Sequence, residues 1–232
     1  MCSSDLQGIV HRDVKPANIM IGNNREGKLS DFGLALPNIK GLDLSDIKGY
    51  QCLLHLAPEV SKFSEHDALA DIYACGVTLY RLVNGDSYLP VLKPEEAVKR
   101  ARAGEFPNRD HYRGFVPMAL KRVINKSMAV DPKDRYQSAE EMRRALEGVT
   151  VAMDWEESTL LTGRKWSGSD GKRDLEVMRT KMSNGQWELQ VKKAGAGKPL
   201  RRDSSMCKTA MSEKKAMRET YRLLQKFVSG KA

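Results

Sequence analysis

The stretch His11–Asn18, which reads HRDVKPAN, and the tripeptide Asp31–Gly33, which reads DFG, bring several ionisable and amide side chains close together in the sequence. Between them, Ile19–Ile21 and Lys28–Ser30 are typical of two short strands, and Gly22–Asn24 is typical of the turn that joins them. A hairpin brings its two outer ends to the same place. We therefore expect the polar side chains that flank this hairpin to form one site.

Four side chains at the ends of the predicted hairpin carry the chemistry: Asp13, Lys15, Asn18 and Asp31. The oxygens of Asn18 and Asp31 are hard ligands of the kind that bind Mg²⁺. Asp13 then remains to accept a proton, and the Lys15 ammonium remains to meet negative charge.

The order of these motifs resembles the catalytic loop and the metal-binding loop of eukaryotic-like protein kinases, where His-Arg-Asp, an asparagine five positions after the aspartate, and Asp-Phe-Gly follow one another. Ala57–Glu59, which reads APE, follows at the distance that a kinase activation segment needs. The resemblance is with the bacterial Hanks-type serine/threonine kinases in particular, also through residues 70–85 (ADIYACGVTLYRLVNG) and 131–142 (DPKDRYQSAEEM). It covers the chain from about Gly8 to Glu147.

This resemblance implies transfer of the γ-phosphoryl group of ATP to serine and threonine hydroxyls of protein substrates, with Mg²⁺. Asp13 would accept the proton of the hydroxyl, and Lys15 would bind ATP and offset charge on the transferring phosphate. Asn18 and Asp31 would hold Mg²⁺ against the phosphate oxygens. The alternative is a pseudokinase or scaffold that keeps the motifs without catalysis.

The resemblance also implies supporting roles for residues outside these loops. Asp71 would tie down the backbone of the catalytic loop, and Arg135 would pair with Glu59 to hold the activation segment against the helices. Ser45 is the candidate phosphorylation switch, because the Arg12 guanidinium beside Asp13 could pair with a phosphate.

The sequence departs from the family before Ala57–Glu59. Gln51–Leu56 stands where the family usually has Gly-Thr-Pro. That threonine hydroxyl normally bridges the catalytic aspartate and lysine, so the departure concerns substrate positioning.

The expected fold class is α+β. We expect residues 8–148 to form a mainly helical kinase C-terminal lobe only, without the N-lobe and the first C-lobe helix, and residues 149–232 to form a small basic α+β module. Residues 1–7 are expected to be a non-native or truncated start, with a native start of a short kinase as the alternative. The chain has no Gly-rich loop followed by a strand lysine to clamp ATP, so the fragment itself is expected to be inactive.

Helix signals predict the elements of residues 8–148. An apolar run predicts a buried helix from Ala70 to Val83 that ends at Asn84-Gly85. Pro94 and Pro117 each predict a helix start, and Ser138 predicts a helix N-cap with Glu141 completing a capping box.

The net charge of +9 predicts a second unit, because it is unevenly distributed. Residues 1–150 carry 21 Lys and Arg against 20 Asp and Glu, whereas residues 151–232 carry 18 against 10. All three tryptophans lie in the basic part, where alternating residues around Asn184-Gly185 predict a β-hairpin and the chain from Ser212 to Gly230 predicts a helix. The basic residues within 192–215 are candidates for binding nucleic acid or another acidic partner, although such runs are usually solvated faces.

Composition excludes several classes of protein. No stretch has the roughly 18 apolar residues of a membrane span, and no signal peptide is evident. The four cysteines show no C-x-x-C pairing, and the four histidines show no metal-ligand spacing. A cytoplasmic location is the expectation.

Overall fold

The computed structural model describes residues 9–34, 36–37, 54–60 and 66–231. The chain forms two compact units, one of residues 1–113 with 119–148 and one of residues 114–118 with 149–232. The start at residues 1–7, the candidate switch Ser45 and the first half of the departure at Gln51–Leu56, residues 51–53, lie outside the described residues.

Four short strands surround the motifs in the first unit. Strand β2 pairs with β3 in an antiparallel hairpin with Ile19 opposite Leu29, and β1 pairs with β4. The predicted hairpin is confirmed, with its return strand beginning one residue earlier than expected. The bounds are Ile9–Val10 (β1), Ile19–Ile21 (β2), Gly27–Leu29 (β3) and Leu36–Pro37 (β4).

The central helix of the first unit, α1, spans Ala68–Asn84. The Asp67 side chain accepts a hydrogen bond from the Ala70 N–H at 3.0 Å and thereby caps the start. Gly85 ends the helix with a φ of 79°, a conformation that favours glycine. Most of the helix is buried, as its apolar sequence predicts, although Leu82 is 59% exposed.

The other helices of this part begin where the sequence signals indicate. They are α2 (Pro94–Arg102), α3 (Met118–Ser127) and α4 (Ala139–Glu147). Ser138 caps α4 as predicted, since its Oγ accepts from the Glu141 N–H at 3.1 Å. The reciprocal half of the predicted capping box differs, because Glu141 accepts from the Gln137 N–H at 2.8 Å.

The second unit is an antiparallel sheet of six strands with one helix, α5 (Glu213–Val228). The strands lie in the order β10-β8-β7-β6-β5, and β9 also pairs with β8. The predicted hairpin around Asn184-Gly185 is confirmed as β7 and β8. The strand bounds are Asp154–Leu160 (β5), Gly163–Ser169 (β6), Arg173–Lys181 (β7), Trp187–Gly195 (β8), Arg201–Arg202 (β9) and Lys208–Met211 (β10).

The hairpin of β5 and β6 was not expected from the sequence. Its register pairs Leu160 with Gly163, which leaves Leu161 and Thr162 as the loop. This loop carries none of the Asn-Gly or Asp-Gly signals that identify tight turns in a sequence. The hairpin is instead stabilised by the neighbouring strand, because β6 pairs with β7 along its whole length.

The core of the second unit lies between the sheet and α5. Trp155 and Trp166 are buried there, and the helix contributes Leu224 and Phe227. Helical spacing in the sequence predicts that Met217, Tyr221, Leu224 and Val228 share this face, but Met217 is 39% exposed. The face that packs runs through Ala216, Thr220, Leu224, Phe227 and Val228.

Residues 114–118 belong with the second unit for a specific reason. The Gln225 side-chain amide donates to the carbonyl oxygens of Gly114 and Val116, each at 2.7 Å. Phe115 packs against the apolar core of the same unit.

Among the helices that the structure describes, none combines the length and the apolar character needed to cross a membrane.

Candidate active site

Asp13, Lys15 and Asn18 are joined by hydrogen bonds in the first unit. Lys15 Nζ lies 2.7 Å from Asp13 Oδ2, and Asn18 Nδ2 donates to the same oxygen at 3.0 Å. Asn18 Nδ2 also donates to the Asp13 carbonyl oxygen at 2.8 Å. The Asp13 and Lys15 side chains are only 11% and 19% exposed, so the three groups form a compact and partly desolvated cluster.

The hairpin links this cluster to Asp31. The Asn18 carbonyl oxygen accepts from both the Ser30 N–H at 2.8 Å and the Ser30 Oγ at 2.9 Å. Asp31 follows directly, in an exposed position with a φ of 61°, and its Oδ1 accepts from the Gly33 N–H at 3.4 Å. Asp31 is therefore connected to the cluster through the backbone of the hairpin, whereas Lys15 and Asn18 each contact Asp13 directly.

The backbone before Asp13 is held by Asp71 at the start of α1. Asp71 accepts from the His11 N–H at 2.6 Å and from the Arg12 N–H at 3.0 Å. Arg12 has a φ of 69°, which is unfavourable for a residue with a side chain, so the two bonds stabilise a turn that the chain would otherwise leave. The role that the sequence assigned to Asp71 agrees with this geometry.

His11 supports the same turn from inside. It is 1% exposed, its Nδ1 accepts from the Asp13 N–H at 3.3 Å, and its Nε2 lies 3.1 Å from the Ser30 carbonyl oxygen. With Nδ1 as the acceptor, Nε2 is the ring nitrogen that donates to the Ser30 carbonyl oxygen. The edge of the ring meets Phe32 at a centroid distance of 4.8 Å.

The predicted ion pair between Arg135 and Glu59 is present and bidentate. Its two hydrogen bonds measure 2.6 and 2.7 Å, and the Arg135 side chain is 0% exposed. The guanidinium also lies 5.0 Å from the ring centroid of Tyr73. Burial raises the pKa of Tyr73 to about 12, so this ring stays neutral beneath the cation at ordinary pH.

Three further side chains support the site region or its helix, and sequence reasoning missed them. Thr78 Oγ1 donates to the Val14 carbonyl oxygen at 3.4 Å, and His66 Nε2 lies 3.4 Å from Asp71 Oδ1. His55 lies 3.4 Å from the Arg81 guanidinium. One signal could have identified Thr78, because a hydroxyl within an apolar helix needs a hydrogen-bond partner. The two histidines resemble loop residues in the sequence, because their burial depends on packing against distant parts of the chain.

The histidines do not form a metal centre in the part of the chain that the structure describes. No group of three or more His, Cys, Asp or Glu side chains there is placed to hold a metal ion. The absence of ligand spacing in the sequence favours a packed structural role for His11, and its burial confirms that role.

Several lysines in the basic stretch of residues 192–215 are engaged in ion pairs. Lys192 lies 2.8 Å from Glu176, and Lys208 lies 2.5 Å from Glu219. These pairs reduce the charge that the stretch presents to a partner. The suggestion of a nucleic-acid partner stays a prediction.

Comparison with known proteins agrees with the geometry of the first unit. The chain is 32% identical over 181 residues to the serine/threonine-protein kinase PknB of Mycobacterium leprae, which covers 76% of the chain. It is 37% identical over 155 residues to a probable serine/threonine-protein kinase of Corynebacterium efficiens and 34% identical over 152 residues to one of Clostridium perfringens, which cover 62% and 61% of the chain. The chain spans only 29%, 23% and 21% of the length of these relatives.

The model of the protein kinase domain matches residues 6–146. This match includes the Asp13 cluster, the Asp71 anchor and the pair of Arg135 with Glu59. Because it spans more than half of the chain, the protein belongs to the protein kinase domain family.

Proposed function

We propose that the protein is a serine/threonine protein kinase of the bacterial Hanks type, which transfers the γ-phosphoryl group of ATP to hydroxyls of protein substrates. The observation that carries the proposal is the hydrogen-bonded cluster of Asp13, Lys15 and Asn18 on a backbone anchored by Asp71. Membership of the kinase family implies the use of ATP, generally with Mg²⁺, and protein substrates.

Asp13 is proposed as the proton acceptor. Its Oδ2 is held by Lys15 and Asn18, so the carboxylate has one orientation before a substrate arrives. Lys15 brings a positive charge 2.7 Å from that oxygen, where it would offset charge on the transferring phosphate. The threonine that normally bridges these two groups is absent from the sequence, and the direct contact between Lys15 and Asp13 supports their acting together without it.

Asn18 and Asp31 are proposed to hold Mg²⁺. These residues fit a hard cation. The Asn18 amide nitrogen donates to Asp13, so the amide oxygen points away from Asp13. Asp31 is an exposed carboxylate. When bound, the cation would neutralise phosphate oxygens. The positive φ of Asp31 supports a position selected for the direction of its side chain rather than for stability.

We further propose that residues 8–148 correspond to a kinase C-terminal lobe and residues 149–232 to a separate basic module. Exposed apolar side chains that follow Asn18 and Asp31 in the chain support the assignment of a C-terminal lobe, since Met20, Ile21 and Phe32 are 57%, 72% and 53% exposed. A nucleotide-binding lobe would cover such a surface. The compact second unit, with its own core, supports the second part.

The test is phosphorylation by the full-length protein, with radiolabelled ATP and Mg²⁺. Asp13→Asn and Asp31→Asn should each lower the rate by at least about 100-fold, because each removes a group that acts in the transition state. Asp110→Asn, which changes an exposed carboxylate elsewhere in the kinase domain, should leave the rate unchanged. Phosphate on serine or threonine supports the proposal, whereas a wild-type protein without Mg²⁺-dependent transfer would establish the scaffold alternative.

A further inference from the structure

A cavity of about 460 Å³ lies in the second unit between the sheet and α5. Its volume is in the range of small-molecule sites. It is bordered by β7, β8, β9 and the last turn of α5, and none of its lining residues belongs to the kinase motifs. Its most distinctive feature is the number of cations in the wall, which are Arg173, Lys193, Arg201, Arg202 and Lys226.

The register of the sheet explains why cations meet at this place. Leu175 points into the apolar core on the face that α5 covers. Lys193 is paired directly opposite Leu175, and Arg201 is paired directly opposite Lys193. Because paired residues of an antiparallel sheet point to the same face, these two cations lie on the helix-covered face, where an apolar residue would continue the core.

The charges of this wall are only partly compensated. Arg173 lies 2.9 Å from Asp170, and Lys193 lies 2.6 Å from Asp203. Arg201, Arg202 and Lys226 make no ion pair within the described part of the chain. The cavity therefore keeps an excess of positive charge at its rim, where all five cations are exposed.

The remaining wall is apolar. Leu175 and Phe227 are 2% and 4% exposed, and Met206 packs beside them. A ligand that satisfies both parts of the wall needs a strongly anionic group and an apolar group. Three of the five cations are arginines, whose planar guanidinium groups match the oxygens of a phosphate.

We propose that this cavity binds a phosphate monoester carried on an apolar or aromatic group. The cations border one half-open cavity of small-molecule size, whereas a nucleic-acid face needs a groove that follows a backbone. Such an ester could be a free small molecule or the headgroup of a phosphatidic acid, and the two sources share this chemistry.

The test titrates the full chain with phenyl phosphate and with inorganic phosphate by calorimetry. The wild-type chain should bind phenyl phosphate about ten-fold more tightly than inorganic phosphate, because the ring buries apolar surface against Phe227. The double variant Arg201→Gln/Lys226→Gln should bind phenyl phosphate at least about ten-fold more weakly.

The matched control is Lys214→Gln/Lys215→Gln, which removes the same charge from exposed positions of α5 outside the cavity. It should weaken binding by less than about two-fold, since surface charges act weakly at a distance in salt. Equal weakening by the two double variants, or equal affinity for the two phosphates, would overturn the proposal in favour of general charge attraction.

Two more arms identify the source of the ester. Retention on phosphatidylcholine vesicles that contain phosphatidic acid, lost only in the cavity variant, would support the proposal and assign a lipid headgroup; binding of phenyl phosphate without retention would support it and assign a free ester. Binding of a single-stranded RNA oligonucleotide that both double variants weaken equally, without phenyl phosphate binding, would contradict it.

Discussion

At the scale of single residues, the site depends on carboxylates that hold backbone and guanidinium groups. Asp71 shows the principle, because its two oxygens satisfy the N–H groups of His11 and Arg12 in a turn that has a positive φ. Arg135 is the corresponding cation, which holds a carboxylate and backbone carbonyl groups. It donates to Glu59 and also to the carbonyl oxygens of Leu69, Ala129 and Val130.

Arg135→Gln should lower the free energy of unfolding by about 3 kcal/mol, because it leaves the Glu59 carboxylate and several carbonyl groups without their buried partner. Urea unfolding followed by circular dichroism measures this loss. Arg143→Gln serves as the control, since Arg143 pairs with Glu140 and Glu147 at an exposed position and should cost less than about 1 kcal/mol. Equal losses for the two variants would mean that burial of the ion pair is unimportant.

Asp203 should make the second unit sensitive to acid. Lys193 and then Ser205 lower the pKa of this carboxyl from 3.8 to about 2. Because the folded pKa lies below the ordinary value, the ionised group stabilises the fold above about pH 4, and this contribution is lost as the pH falls towards 2.

Asp203→Asn should therefore flatten the pH dependence of unfolding between about pH 4 and 2. Tryptophan fluorescence during urea unfolding measures it, since all three tryptophans lie in the second unit. Asp154→Asn, at an exposed position in the same unit, should keep the wild-type profile. An unchanged profile for Asp203→Asn would contradict the assignment.

At the scale of elements, short-range signals in the sequence mark most helix starts, although α1 begins at Ala68, two residues before the predicted Ala70. Asp67, Ser138 and Ser212 place a side-chain oxygen on an N–H of the first turn of α1, α4 and α5 respectively. These contacts join residues three apart, so a sequence displays them directly. Turns without glycine or asparagine, such as Leu161-Thr162, are decided by strand pairing instead.

Ser138→Ala should lower the free energy of unfolding by about 1 kcal/mol, because the Glu141 N–H loses its acceptor. Ser138→Asp keeps an acceptor oxygen and should restore most of that stability. Thermal unfolding followed by circular dichroism at 222 nm compares the three proteins. If aspartate were no better than alanine, the cap would not be what Ser138 contributes.

At the scale of the whole molecule, the chain divides into two units, and neither unit is one continuous stretch of the sequence. The segment Gly114–Met118 lies between parts of the first unit in the sequence, yet it belongs to the second. Gln225 determines this through its bonds to Gly114 and Val116. A Cβ on Gly114 would meet the ring of Tyr221 at 2.0 Å, so the segment also depends on glycine at that position.

Gln225→Ala should destabilise the second unit by about 1 to 3 kcal/mol, since two carbonyl groups lose their donor. Tryptophan fluorescence during thermal unfolding reports this unit alone, because the three tryptophans are Trp155, Trp166 and Trp187. Arg222→Ala, at an exposed position on the same helix, is the control and should change the midpoint little. A midpoint unaffected by Gln225→Ala would show that the segment is held by other contacts.

The sequence by itself determined what short separations control: the hairpin after Asn18, the helix starts and the closeness of Asp13, Lys15 and Asn18. Groups two to five residues apart are close enough to meet within one turn, and Asp71 then stabilises the turn that precedes Asp13. Only the tertiary structure decided which distant groups meet. Arg179, with its guanidinium 5.5 and 5.7 Å from the rings of two tryptophans, is one case, and the burial of His66 against Asp71 is another. Such contacts depend on strand register and on the faces that pack together, and no local pattern records either of these.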